Sequence, residues 1–146
     1  MSQDNVEIVR SLWEPLEEIN IAEFDWSAEA IREALGSGYA PDAELTTLDI
    51  PMVLDIDRRY RGVDGLSEYL GKWLEPFSEY HVENLDYIDA GDCVLVPSRQ
   101  WGIGEGSGAR VDLELTTLYE LRDGKITRAH QYETLAEARA DAARAR

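Results

Sequence analysis

Two residues with the means for acid–base chemistry stand close together in "DGKITRAHQYE", residues 123–133: His130 and Tyr132. Unperturbed imidazole titrates near neutrality, so His130 is a candidate general acid–base group. Tyr132 has the hydroxyl to bond a carbonyl or orient a ligand. The other histidine, His81, follows a predicted helix and reads as a partner for that helix's negative C-terminal end. Two distant histidines, one cysteine (Cys93) and no HExxH spacing give no expectation of a metal site. A lone cysteine also excludes an intramolecular disulfide. "GEGSG" at 104–108 lacks the Lys and the following helix of a phosphate loop, and no cofactor is expected.

Positioning these groups requires a folded domain. The chain has 146 residues, 44% of them hydrophobic, which suits a single domain over 1–146 with a real core. Lys and Arg total 14 against 30 Asp and Glu, a net charge of −16. That charge repels nucleic-acid phosphates and anionic lipid surfaces, so neither partner is expected. No apolar run approaches the roughly 20 residues that span a bilayer. The opening "MSQDNVEIVR" has neither a basic nor an apolar signal region, and the expected location is cytoplasmic.

The pattern along the chain is helical first and strand-rich later, an α+β arrangement. Val6, Val9, Trp13 and Leu16 lie at helical spacing in 4–19, with Pro15 a candidate kink. "SAEAIREALG" predicts a short helix capped by Ser27 and stopped by Gly36. A strand over 42–50 and an irregular connection over 51–62 follow. "VDGLSEYLGKWLEPFSEY", 63–80, predicts a third helix capped by Asp64, with Leu66, Tyr69, Leu70, Trp73 and Phe77 on one stripe. Strands are predicted near 82–88, 92–103, 110–121 and 126–134. The Ala-rich tail is helix-prone but polar enough to fray.

Asp123-Gly124 is a strong hairpin signal of the two-residue type I′ kind. Such a loop pairs Arg122 with Lys125 and, counting outward without interruption, Tyr119 with Arg128, Thr117 with His130 and Leu115 with Tyr132. This face, rich in large groups, is expected to meet the helices. Glu114 and Glu133 would oppose each other on the far face, with Arg99 as the cation between them. A one-residue slip reverses every one of these assignments.

The layout resembles the nuclear transport factor 2-like superfamily and, within it, the SnoaL-like proteins. The matching stretches are "YRGVDGLSEYLGKW", "YIDAGDCVLV", "GEGSGARVDLELTTLYELRDGKITRAHQYE" and "LAEA", from Tyr60 onward. The resemblance implies N-terminal helices packed in a curved antiparallel sheet that forms a cone. It further implies a pocket at the open end for a small hydrophobic or aromatic molecule, and a homodimer packed through the sheet. The same fold hosts isomerases, cyclases, hydrolases, dehydratases and binders, so it does not specify a reaction.

Ketosteroid isomerases carry a catalytic base after a stretch similar to "YAPDAELT"; the matching residue is Thr47, with Asp49 two residues on as a substitute. Their protonated oxyanion acid matches Thr117, which lacks the tuned acidity such a site uses. Limonene epoxide hydrolases use an Arg-x-Asp where this chain has Arg99-Gln100-Trp101. SnoaL-type cyclases close a ring with one acid–base residue in an apolar pocket, a role open to His130 with Tyr132. The competing role for that pair is pocket lining, with His130 bonded to Thr117. The expected ligand-binding set is Trp13, Thr47, Tyr60, Tyr69, Trp73, Phe77, Thr117 and Tyr119; the expected catalytic set is His130, Tyr132 and Asp49. The leading expectation is a small-molecule-binding cone protein. The alternatives are a cyclase or isomerase using His130 and Tyr132, and a non-catalytic dimeric interaction module.

Overall fold

The apolar stripe of the first helix and the alternation of the later strands meet in one helix-on-sheet arrangement. A computed structural model describes residues 2–23, 26–35, 38–47 and 59–144. Helix α1 (Ser2–Glu17) leads, and Pro15 lies inside it, in its last turn. A short 3-10 helix (Ile21–Glu23) precedes α2 (Ala28–Leu35). Ser27 caps α2 as expected: the amide of Ala30 donates to its Oγ at 3.3 Å. Gly36, the expected stop, lies outside the described residues.

Strands β1 (Tyr39–Thr46) and β2 (Arg59–Arg61) lead into α3 (Gly62–Leu74). This helix is shorter than the sequence pattern predicts. Pro76 has no amide proton to continue it, so the chain turns extended and Phe77 begins β3 (Phe77–Asn84). Asp64 is not its cap: Arg61 occupies that position without a side-chain bond, and Asp64 lies within the first turn. Then come β4 (Ile88–Asp89), β5 (Cys93–Gly104), β6 (Arg110–Arg122), β7 (Lys125–Tyr132) and α4 (Leu135–Arg144).

The strands form one curved seven-stranded sheet in the order β2-β1-β7-β6-β5-β3, with β4 paired to β5. Pairing is antiparallel except between β1 and β7, which run parallel. Helices α1 and α3 fill the concave side. Val6 and Val9 of α1 pack with Val94, Val96, Tyr119, Leu121 and Ile126. Tyr69, Trp73 and Leu74 of α3 pack with Tyr60, Phe77, Tyr80 and Val82. On the convex side α4 seats Ala138 and Ala142 against Cys93, Leu95 and Leu118. The tail therefore docks: small side chains four residues apart let its backbone approach the sheet closely, offsetting its polar composition.

The β6–β7 hairpin has the expected two-residue turn. Asp123 and Gly124 both hold positive φ, 54° and 77°, and Arg122 pairs with Lys125. One step later the expected register breaks. Leu121 pairs with Ile126, but Glu120 pairs with Arg128, leaving Thr127 as an extra residue in β7. Thr127 donates its hydroxyl to the Glu120 carbonyl at 3.1 Å. Beyond this bulge Tyr119 faces Ala129, Leu118 faces His130, Thr117 faces Gln131 and Thr116 faces Tyr132. Arg99 does pair with Glu114, at 3.4 Å. It shares the convex face with His130, however, so the alternation behind that expectation does not hold.

Candidate functional site

The bulge decides which β7 side chains reach the interior. Ala129 and Gln131 turn inward beside Tyr119 and Thr117, and they help line a cavity of about 90 Å³ between α1, α3 and the concave sheet. Five of the expected ligand-binding residues line it: Trp13, Tyr69, Trp73, Thr117 and Tyr119. Three do not. Tyr60 is buried on β2 and packs its ring on Tyr69, centroids 5.6 Å apart. Phe77, no longer helical, packs edge-on to Tyr80 at 4.9 Å. Thr47 is buried just past the end of β1, outside the cavity lining. Asp49 lies outside the described residues.

His130 and Tyr132 are both on the convex face, away from the cavity. Their rings contact each other at 4.4 Å, and Tyr132 packs into the cluster beneath α4. The Tyr132 hydroxyl donates to Asp141 of α4. Arg128 joins the same region, 3.3 Å from Glu120 and 3.6 Å from Asp141. Cys93 sits there too, buried, its thiol pushed up by desolvation and then by the Glu120 carboxylate. A raised thiol pKa makes it a poor nucleophile. His81, on β3 and not at a helix end, stacks on Trp101 at 4.4 Å and meets Glu79 at 2.8 Å.

The cavity wall is mostly indole, phenol and aliphatic surface, and its polar groups are neutral. Trp13 donates its indole N–H to the Tyr119 hydroxyl at 2.8 Å. Gln131 donates its amide to the Tyr69 hydroxyl at 3.0 Å. Tyr80 donates to Gln100 Oε1 at 2.6 Å, and Gln100 passes a bond on to Ser98 at 3.1 Å. Gly102 on β5 makes room for the ring of Tyr80: a Cβ there would lie 2.7 Å from it.

Among the described lining residues the titratable groups are Tyr39, Tyr69, Tyr80 and Tyr119, with no Asp, Glu, His, Lys or Arg. Burial pushes Tyr39 and Tyr69 up to about 12 and raises Tyr80 and Tyr119 as well. The wall thus offers protonated phenols near neutral pH. It can donate hydrogen bonds and exclude water; it holds no described group poised to take a proton at pH 7. No group of three or more His, Cys, Asp or Glu among the described residues is arranged to hold a metal. No described helix is long and apolar enough to cross a membrane.

Gln131, Gln100, Tyr39 and Tyr80 are cavity residues that sequence reasoning missed. Tyr80 was hidden by the overlong third helix, which Pro76 signals against. Gln131 was hidden by the bulge, because uninterrupted alternation sends it outward.

The chain belongs to the SnoaL-like domain family, whose model matches residues 21–129. Solved structures share the fold. TerC, co-crystallised with polyporic acid, is 19% identical with a TM-score of 0.70, covering 92% of this chain and 94% of that one. A candidate SnoaL-like polyketide cyclase from Jannaschia sp. CCS1 is 21% identical at TM-score 0.70, covering 92% and 88%. A protein with a ketosteroid isomerase-like fold from Catenulispora acidiphila, in complex with trimethylamine, is 20% identical at TM-score 0.62, covering 94% and 92%. At such identities the likeness establishes the nuclear transport factor 2-like cone and leaves the reaction open. Among curated proteins no sequence matches significantly.

Proposed function

We propose that this protein binds a small, largely apolar or aromatic molecule in the cone, held by Trp13, Tyr69, Trp73, Thr117 and Tyr119 together with Gln131. The observation that carries this reading is the cavity itself, aromatic-walled and lined by neutral polar groups. Its volume of about 90 Å³ is several times the ~10–15 Å³ that one water needs and well below the ~300–1,000 Å³ of drug-sized sites. That volume points to a small molecule. TerC, co-crystallised with polyporic acid, gives the reading a parallel on the same fold.

Calorimetric titration with α-methylstyrene, a single-ring hydrocarbon, tests it. Ala129 is buried against the cavity, and Ala129→Leu adds three carbons to the space the ligand would use. Binding by the natural protein and its loss in a folded Ala129→Leu variant is the expected result. Equal binding by both would contradict the reading.

We also propose the homodimer that the fold resemblance implies. Trp101, stacked between His81 and the Arg110 guanidinium on the outer sheet face, is the aromatic anchor such an interface needs. Sedimentation of Trp101→Ala should show monomer where the natural chain shows dimer; unchanged mass would remove this face from consideration.

A further inference from the structure

Where α2, β1 and the start of α3 meet, a second cavity of about 430 Å³ opens on the surface. That volume falls within the ~300–1,000 Å³ range of small-molecule sites. An interruption of the sheet builds it. Tyr39 pairs with Ile126 and Glu44 with Arg128, so between those pairs β1 spends four residues, 40–43, where β7 spends one, Thr127. The surplus bulges, and Pro41 and Asp42 within it become part of the cavity wall. Gly62, at φ 70°, closes against the bulge: a Cβ there would lie 2.9 Å from the Pro41 carbonyl oxygen. Lys125 enters the same wall from the start of β7. Its backbone is fixed beside β1, because the amide of Ile126 donates to the Gly38 carbonyl at 2.8 Å.

The chain carries a net charge of −16, yet this wall gathers three cations and two anions. Most are already committed. Arg32 pairs with Asp64 at 3.4 Å, and Arg61 pairs with Glu44 at 3.7 Å. Lys125 and Asp42 are left over: among the described residues neither side chain has an ion pair or a hydrogen bond. Two opposite charges thus face one space without reaching each other. Much of the remaining lining, Tyr39, Pro41 and Val63, is apolar apart from the phenol oxygen.

From this arrangement we propose that the surface cavity binds a zwitterion, an amino carboxylic acid in class, whose carboxylate meets Lys125 and whose ammonium meets Asp42. Methylenes between the two charges lie on Tyr39, Pro41 and Val63. A plain carboxylate is disfavoured, because Asp42 and Asp64 share the space with it. A plain amine is disfavoured by Lys125 in the same way. Tyr39 is the one described residue common to this lining and that of the cone cavity, and the inference does not rest on the reading given for the cone.

Proton–nitrogen NMR titration in low-salt buffer at pH 7 tests it, with glycine, 4-aminobutyrate and 6-aminohexanoate as probes of increasing charge separation. Butyrate and butylamine are the single-charge controls. An exposed ion pair contributes a factor of roughly 1.5–5 in affinity. The best of the three zwitterions should therefore bind about 2–5-fold tighter than either control, moving the backbone amides of Asp42, Val63 and Lys125. Lys125→Ala should reduce its affinity to that of butylamine, and Asp42→Asn to that of butyrate. Both side chains are exposed, and circular dichroism reports whether each variant is folded. The double variant Asp42→Lys with Lys125→Asp keeps both charges and should recover binding that each single variant loses. Butyrate or butylamine binding as tightly as every zwitterion overturns the inference. So does an affinity that neither single variant lowers, or no shift at these amides with any probe.

Discussion

The two faces of the sheet divide the chemistry of this protein unevenly. The convex face beneath α4 holds Arg128, Glu120, Asp141, His130, Tyr132 and Cys93, the groups that invite a catalytic reading. There they pair with one another and fasten the last helix. The concave face holds phenols, indoles and amides with no described charged group in the cavity lining. Titratable residues on the convex face serve cohesion, and the recognition proposed for the cavity falls to neutral, buried groups. There a hydrogen bond is stronger and an unmatched one is more costly. A single extra residue, Thr127, separates the two arrangements by deciding which β7 side chains go to which face.

Inserting one alanine between Arg128 and Ala129 attacks that division most directly. It would move every later β7 residue one place along β6, turning His130 toward the interior and Ala129 and Gln131 outward. The expected loss is about 4 kcal/mol or more, or no cooperative transition at all, in urea denaturation. Near-natural stability would mean that this register does not set the faces.

Alkaline pH probes the concave side. In the folded state Tyr69 and Tyr39 keep their protons to about pH 12, against about 10 when unfolded. Their contribution is complete below about pH 10 and is lost as pH rises through 12, because the unfolded chain releases those protons first. For Tyr69 alone this is on the order of 2 kcal/mol. Denaturant midpoints should hold steady from pH 7 to 9 and fall steeply above 10. Tyr69→Phe should make the fall shallower.

Ala138→Asp probes the convex side by forcing a carboxylate under α4, where Ala138 is fully buried. A loss of about 2–4 kcal/mol is expected, with ligand binding in the cavity retained. If the variant also abolishes binding, the two faces are coupled more tightly than their separate contacts imply. The smallest effect belongs to Tyr132→Phe, which removes the bond to Asp141. About 1 kcal/mol or less of stability should go, and ligand affinity should not change.

Much of this architecture is legible in the sequence because strong local signals agree with the fold. Asp123-Gly124 gives the hairpin turn, Ser27 gives a cap, and the Val6–Val9–Trp13 stripe gives the inner face of α1. The site is less legible for a physical reason. "KITRAHQY" carries polar groups in both alternations, so nothing in its pattern marks Thr127 as the extra residue or chooses between His130 and Gln131 for the interior. Two other misses had readable causes. Pro76 ends α3 ahead of Phe77, and the Ala138/Ala142 pair at i, i+4 is the spacing of a helix meant to dock. The resemblance to SnoaL-like proteins directed attention to Thr117, which does line the cavity. It did not report the bulge at Thr127.

The central claim is that recognition belongs to the concave face and His130 to the convex one. A proton–nitrogen NMR titration with α-methylstyrene tests it in one experiment. The account predicts that the indole N–H signals of Trp13 and Trp73 and the side-chain amide of Gln131 shift with ligand, while the backbone amides of His130, Tyr132 and Asp141 move far less. Shifts concentrated at His130, Tyr132 and α4, with the indoles unmoved, would contradict it.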